Sequence, residues 1–299
     1  IIAGGIVVFY ELMQDSLKDL FEIIDSYSGA DEKEKQERRN NLKREYDITM
    51  EQEEITDRYF QLAHEIYGLS YLQSKGHIVM AKDSVNEAGS DFIWKQKYEI
   101  ECVCPSMGDV KKSGLEKFLQ HDGTKAIDYK AKKEIMNSRF TQALKEKKEF
   151  YVEHVKKGTI DATKPYLIWL GLGKLKLEYR GGDCAIDLND ILFGKGMPQL
   201  TINRETREMT PIGYAHCESI KKQNGAEIDC NLFLNEEYKC ISGIIFSMAW
   251  LEEKYNEKNT YLFVNPYTNN PINLKDFEGI PYWNLSTNGY EFYLNEIKD

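Results

Sequence analysis

Asp91 and Glu101 lie ten residues apart, the first just after Gly89-Ser90 and the second in the middle of the alternating segment Tyr98 to Cys104. Two carboxylates so placed on neighbouring strands of a hairpin can converge on a single divalent cation. A hard cation held this way, and completed by water and a phosphate oxygen, polarises a phosphodiester and lowers the pKa of an attacking water. A nearby lysine then stabilises the developing charge. Glu101 is the firmer candidate, because Ile100, Cys102, Val103 and Cys104 surround it and an unpaired charge in such an apolar strand is expensive. For Asp91 the competing explanation is a turn acid behind the glycine. Glu99, nearer the strand start, is expected to be exposed.

The elements that would position these residues can be read outward from them. Between Leu12 and Gly76 the chain has no proline and its pattern predicts three helices. In the last, Ile55, Tyr59, Leu62, Ile66, Leu69 and Leu72 recur at spacings of three and four before Gly76 stops it. The segment Asp31 to Arg44 has almost no apolar residue and predicts an exposed helix. After Gly76 come three short β segments, His77 to Ala81, Asp91 to Trp94 and Tyr98 to Cys104, forming a meander that Pro105 ends. Pro105 to Asp128 is expected to be loop with a short helix near Leu115 to Gln120. A long helix from Lys132 to Lys157 follows, with Phe140, Leu144, Tyr151 and Val155 on its packing side. The apolar run Pro165 to Leu170 predicts a strand buried on both faces. Further strands are expected over Leu200 to Asn203, Ala226 to Leu234, Ile241 to Met248 and Tyr261 to Val264, either extending the sheet or forming a second layer. The resulting αβββαβ order predicts an α/β fold with a mixed sheet between helices. Its expected divisions are a helical N-terminal arm (1–50), a core (51–175) and a strand-rich C-terminal extension of the same globule (176–299).

Asp91, the hairpin and Glu101 resemble the D…ExK motif of the PD-(D/E)xK, or restriction-endonuclease-like, nuclease superfamily. The αβββαβ order between Tyr59 and Leu170 is similar to the core of that family. The run Ser138 to Tyr151, the ECVCPS segment and the VNPYTNNP segment are similar to a bacterial group within it whose strand reads E-a-V-a-P-S. The resemblance implies Mg²⁺- or Mn²⁺-dependent hydrolysis of phosphodiester bonds, with Asp91 and Glu101 as cation ligands and Glu65, on the preceding helix, as an additional acidic ligand. DNA is the expected substrate ahead of RNA. The alternative is a catalytically inactive module of the same fold that binds nucleic acid or protein. One position departs from the motif, since Val103 stands where its lysine belongs. Some members carry that lysine on another element. Lys147 and Arg139 are the candidates here, eight residues apart on the long helix and so within about 80° on its surface. Lys145 and Lys148 are alternatives.

Composition narrows the surroundings. With 41% apolar residues, 299 residues are enough for a sizeable core. The net charge of −10 argues against indiscriminate coating of nucleic acid. Lys111 to Lys157 nevertheless carries thirteen Lys and Arg against seven Asp and Glu, which would give one cationic face or simply solvated helix surfaces. Six cysteines without a CxxC pair are no disulfide framework, and a reducing cytoplasm is the default. Cys102 and Cys104 could form a soft-metal half-site but read first as small buried hydrophobes. The five histidines have no ligand spacing, so a zinc enzyme is not expected. Gly171-Leu-Gly173 lacks the remainder of a nucleotide loop, and Asn265 to Pro271 has the composition of two turns. The apolar run Ile1 to Tyr10 is too short to span a bilayer, lacks a basic leader and is set aside from the fold. No membrane partner is expected, and the charged N-terminal helices are the candidate surface for self-association.

Overall fold

A computed structural model describes residues 2–52, 54–80, 89–106, 129–173, 175, 184–221, 225–248, 254–288 and 291–297. The N-terminal part forms helices α1 (Ile2–Ser26), α2 (Glu32–Gln52) and α3 (Asp57–Lys75), then strands β1 (Ile78–Met80), β2 (Phe92–Trp94) and β3 (Tyr98–Val103). Helix α4 (Tyr129–Lys157), strand β4 (Tyr166–Gly171) and helix α5 (Cys184–Phe193) follow. Two short hairpins, β5 (Lys195–Ile202) with β6 (Met209–His216) and β7 (Ser219–Lys221) with β8 (Glu227–Asp229), precede β9 (Gly243–Ser247), β10 (Thr260–Val264), β11 (Tyr282–Asn288) and β12 (Glu291–Ile297). The helix expected near Leu115 to Gln120, and the first half of the basic stretch, lie outside the described residues.

Eight strands make one mixed sheet in the order β1-β2-β3-β4-β9-β10-β11-β12. β1, β2 and β3 are an antiparallel meander, whereas β3, β4 and β9 run parallel. A parallel neighbour requires a crossover, and α4 lies in the connection from β3 to β4. The three-residue connection between β2 and β3 has Lys95 and Gln96 both at positive φ, +52° and +58°, the central residues of a β-turn closed by the Lys97 N–H donating to the Trp94 carbonyl at 3.0 Å. Neither residue is glycine, and the turn is tied to Asp276, whose backbone carbonyl accepts from Lys95 Nζ at 2.9 Å. Lys97 Nζ lies 2.7 Å from Asp276 Oδ2, and the Tyr98 hydroxyl donates to the same oxygen at 2.6 Å.

β4 is buried at every position because both faces are covered. Tyr166, Ile168 and Leu170 pack with Phe140, Leu144 and Tyr151 of α4 and with Leu188 and Ile191 of α5. Leu167 and Trp169 face the other way, onto Leu69 and Leu72 of α3. Behind α3 lies a third layer, where Met13, Leu20 and Ile24 of α1 and Leu42 and Tyr46 of α2 meet Tyr59, Phe60 and Ile66. No residue from Asp31 to Asn41 is buried, as the charge-rich sequence predicts, but the C-terminal half of α2 is part of the packing.

The C-terminal strands differ from expectation in detail. β9 to β12 extend the central sheet, while β5 to β8 stand apart as hairpins. The strand expected over Ala226 to Leu234 stops at Asp229, since Asn231 adopts a left-handed conformation and a 3-10 turn follows at Leu232–Leu234. α5, β6, β7, β11 and β12 have no counterpart among the elements the sequence predicts. The protein is thus mixed α/β, with helices on both sides of a mixed sheet. Among the described residues no helix is long and apolar enough to cross a membrane.

Candidate active site

The pleat of β3 sorts its side chains by face. Ile100 and Cys102 join the core under α3, and Val103 packs into the core under α4. Glu101 is directed to the α4 side by the same alternation, and only 4% of it is exposed. The ladder pairs Phe92 with Ile100, so in that register Asp91 falls opposite Glu101. Asp91 Oδ2 accepts the Cys102 backbone N–H at 2.7 Å, which fixes the carboxylate against the edge of β3. This is a specific role beyond that of a turn acid.

Lys147, on α4, donates to Glu101 Oε1 at 2.5 Å. The other carboxylate oxygen, Glu101 Oε2, is buried with no protein hydrogen-bond partner among the described residues. Two influences oppose one another on this acid. Burial first, then the charge of Asp91, push its carboxyl up to about 8, while Lys147 pulls it down. Burial would lower the Lys147 ammonium, but the charges of Glu101 and Asp91 outweigh that and raise it. Lys147 therefore stays cationic while holding one oxygen of a carboxyl group that the buried acids around it leave short of positive charge.

Glu65, partly buried on α3, is the third acid. Its carboxyl is pushed up to about 7, by burial first and then by Asp91, while Gln61 beside it acts in the opposite direction. Glu65 also acts on Glu101, so the three carboxylates share one electrostatic neighbourhood. Arg139, by contrast, is not brought in. It has no ion pair or hydrogen bond with a described residue, and two helical turns separate it from Lys147 by ~12 Å along the helix axis. Of the alternatives, Lys145 is exposed and Lys148 turns to Glu237, 2.7 Å away.

Three features around the cluster were not anticipated. Glu99 is buried, not exposed, because Ser90 Oγ donates to its carboxylate and Lys164 lies 4.0 Å from it. Gln61, one helical turn before Glu65, joins α3 to the end of β3. Its amide oxygen accepts Cys104 N–H at 2.7 Å, and its Nε2 donates to Glu65 Oε1 at 2.8 Å and to the Cys102 carbonyl at 3.2 Å. A Gln and a Glu at i and i+4 on the helix preceding the meander would have been the sequence signal. Tyr166 places a buried hydroxyl on the same side of the sheet as Glu101. Cys102 and Cys104 behave as packing residues whose thiols burial pushes up.

Whether a divalent cation suits these residues can be asked of the donors themselves. No three His, Cys, Asp or Glu side chains among the described residues form a ready-made metal cage. Mg²⁺ does not need one, since it is commonly held by one or two carboxylates with water and a substrate phosphate completing the shell. Glu101 Oε2, a buried oxygen without a partner beside two further acids, is the donor such a shell requires. Protein-family models, curated proteins and solved structures yield no match to this chain. What the fold and site define is a mixed α/β protein with a buried cluster of acids and one lysine beside the β2–β3 hairpin.

Proposed function

We propose that this cluster is the active site of a metal-dependent nuclease with a restriction-endonuclease-like core, hydrolysing phosphodiester bonds in DNA in preference to RNA. The observation that carries the reading is the division of labour at Glu101, with Oε1 bound by Lys147 and Oε2 left without a protein partner. The order α3-β1-β2-β3-α4-β4 around the cluster supports it. Asp91 and Glu101 would hold Mg²⁺ or Mn²⁺, with Glu65 acting from α3. A bound divalent cation would polarise the scissile phosphate and lower the pKa of the attacking water. Lys147 replaces the lysine absent at Val103. Its ammonium holds Glu101 Oε1 and would stabilise negative charge growing on a bound phosphate, a form of stabilisation that needs no rearrangement during reaction.

Isothermal titration with Mn²⁺ and Mg²⁺ tests the reading. One saturable site is expected in the native chain and its loss in Glu101→Gln. No binding to the native chain would favour the catalytically inactive module of the same fold.

A further inference from the structure

Tyr166 begins β4 opposite Glu99 of β3 in the parallel ladder, and Ile168 lies opposite Glu101. Paired residues of a sheet share a face, so Tyr166 shares the α4 side with both glutamates. It is fully buried. Its ring meets that of Tyr151 with centroids 4.6 Å apart, and Tyr151 follows Lys147 by one helical turn. The Tyr166 hydroxyl has no hydrogen-bond partner among the described residues. Burial keeps it protonated, and of the charges acting on it Glu101 weighs most and Asp91 next. A buried hydroxyl without a partner is destabilising, and phenylalanine would fill the same space without it. Packing therefore explains the ring and leaves the hydroxyl unexplained.

Of the partnerless buried atoms on this side of the sheet, the Tyr166 hydroxyl and Glu101 Oε2 thus belong to one face of adjoining strands, the first a donor and the second an acceptor once Glu101 is ionised. We propose that Tyr166 is a positioning residue: its hydroxyl donates a hydrogen bond to a water that in turn donates to Glu101 Oε2, orienting that water for attack on the phosphodiester. The catalytic half of this proposal rests on the nuclease reading, whereas the bridge itself does not. A buried water with two or more polar partners is ordinary protein architecture.

The test is a double-mutant cycle of Tyr166→Phe and Glu101→Met, measured by urea unfolding in EDTA, with cleavage kinetics of Tyr166→Phe alongside. A bridged pair gives non-additive losses, with the double variant's unfolding constant departing from the product of the single effects by roughly fivefold or more. Positioning gives a kcat lower by roughly 10- to 100-fold at unchanged KM. Additive losses would overturn the bridge. Non-additive losses with normal kcat in Tyr166→Phe would overturn the positioning role. Non-additive losses in a chain that cleaves nothing would support the bridge and remove the nuclease reading alone.

Discussion

The ammonium of Lys147 and the carboxylate of Glu101 meet at 2.5 Å, joining the middle of α4 to the middle of β3 across the core. The lysine side chain is 20% exposed and the glutamate 5%, so the pair lies at the boundary between core and solvent, where a phosphate could reach the lysine. Val103 packs against the apolar core under α4, and the positive charge comes from the helix instead. Strand and helix thus each supply one member of the pair.

Removing Lys147 leaves a buried acid without its donor. Lys147→Ala is expected to destabilise the fold by roughly 1–3 kcal/mol. Lys148→Ala, whose partner Glu237 is largely exposed, should lose less than about 1 kcal/mol. Urea unfolding of the two variants checks the contrast, and adding Glu101→Gln to Lys147→Ala should recover part of the loss.

The pH dependence follows from the raised acids. Glu101 moves from 4.5 up to about 8 and Glu65 from 4.5 up to about 7. The folded state then binds protons that the unfolded state has released, and stability falls as pH rises wherever the native state holds more protons. Their contribution is complete below about pH 4.5 and is lost as pH rises toward 8. Burial of His64 lowers its imidazole to about 4 and works the other way up to about pH 6.5, so melting temperature in EDTA should decline from pH 6.5 to pH 8, and Glu101→Gln should flatten the decline. A native chain that becomes more stable across that range would contradict the assignment.

Gly171 ends β4 where α3 and the end of β3 crowd it. A Cβ there would lie 2.8 Å from both Cys104 Sγ and His64 Nδ1. His64 cannot easily withdraw, since its Nε2 bonds the Trp169 carbonyl at 2.9 Å and its Nδ1 bonds the Tyr255 hydroxyl. Gly171→Ala is expected to cost about 1–3 kcal/mol through overpacking, read as a lower melting temperature. Close packing thus accounts for this glycine without a nucleotide.

Much of the arrangement around the site was legible in sequence because punctuation is strong there. Gly76, Gly89 and Pro105 bound the meander, helical spacing marks α3 and α4, and the apolar run from Tyr166 to Leu170 marks a doubly buried strand. Lys147 was within reach because helical geometry limits which lysines share a face. Glu99 was not, since its cover comes from the Ser90 hydroxyl across the hairpin and from Lys164, 65 residues further along the chain. Tyr166 was hidden for the opposite reason, a hydroxyl inside an apolar run. β11 carries Asn284, Ser286, Thr287 and Asn288 within seven residues, so that only Trp283 and Leu285 mark an alternating apolar face, and its place in the sheet depends on β10 and β12 as neighbours.

The most direct measurement of the central claim is cleavage of supercoiled plasmid and single-stranded DNA, with RNA alongside, by the native chain and by Asp91→Asn, Glu101→Gln and Lys147→Ala, with Mg²⁺ or Mn²⁺ and with EDTA. Cation-dependent cleavage is expected from the native chain, with rates lower by ~100-fold or more in each variant. Cleavage that persists in EDTA, or that Glu101→Gln leaves intact, would contradict it.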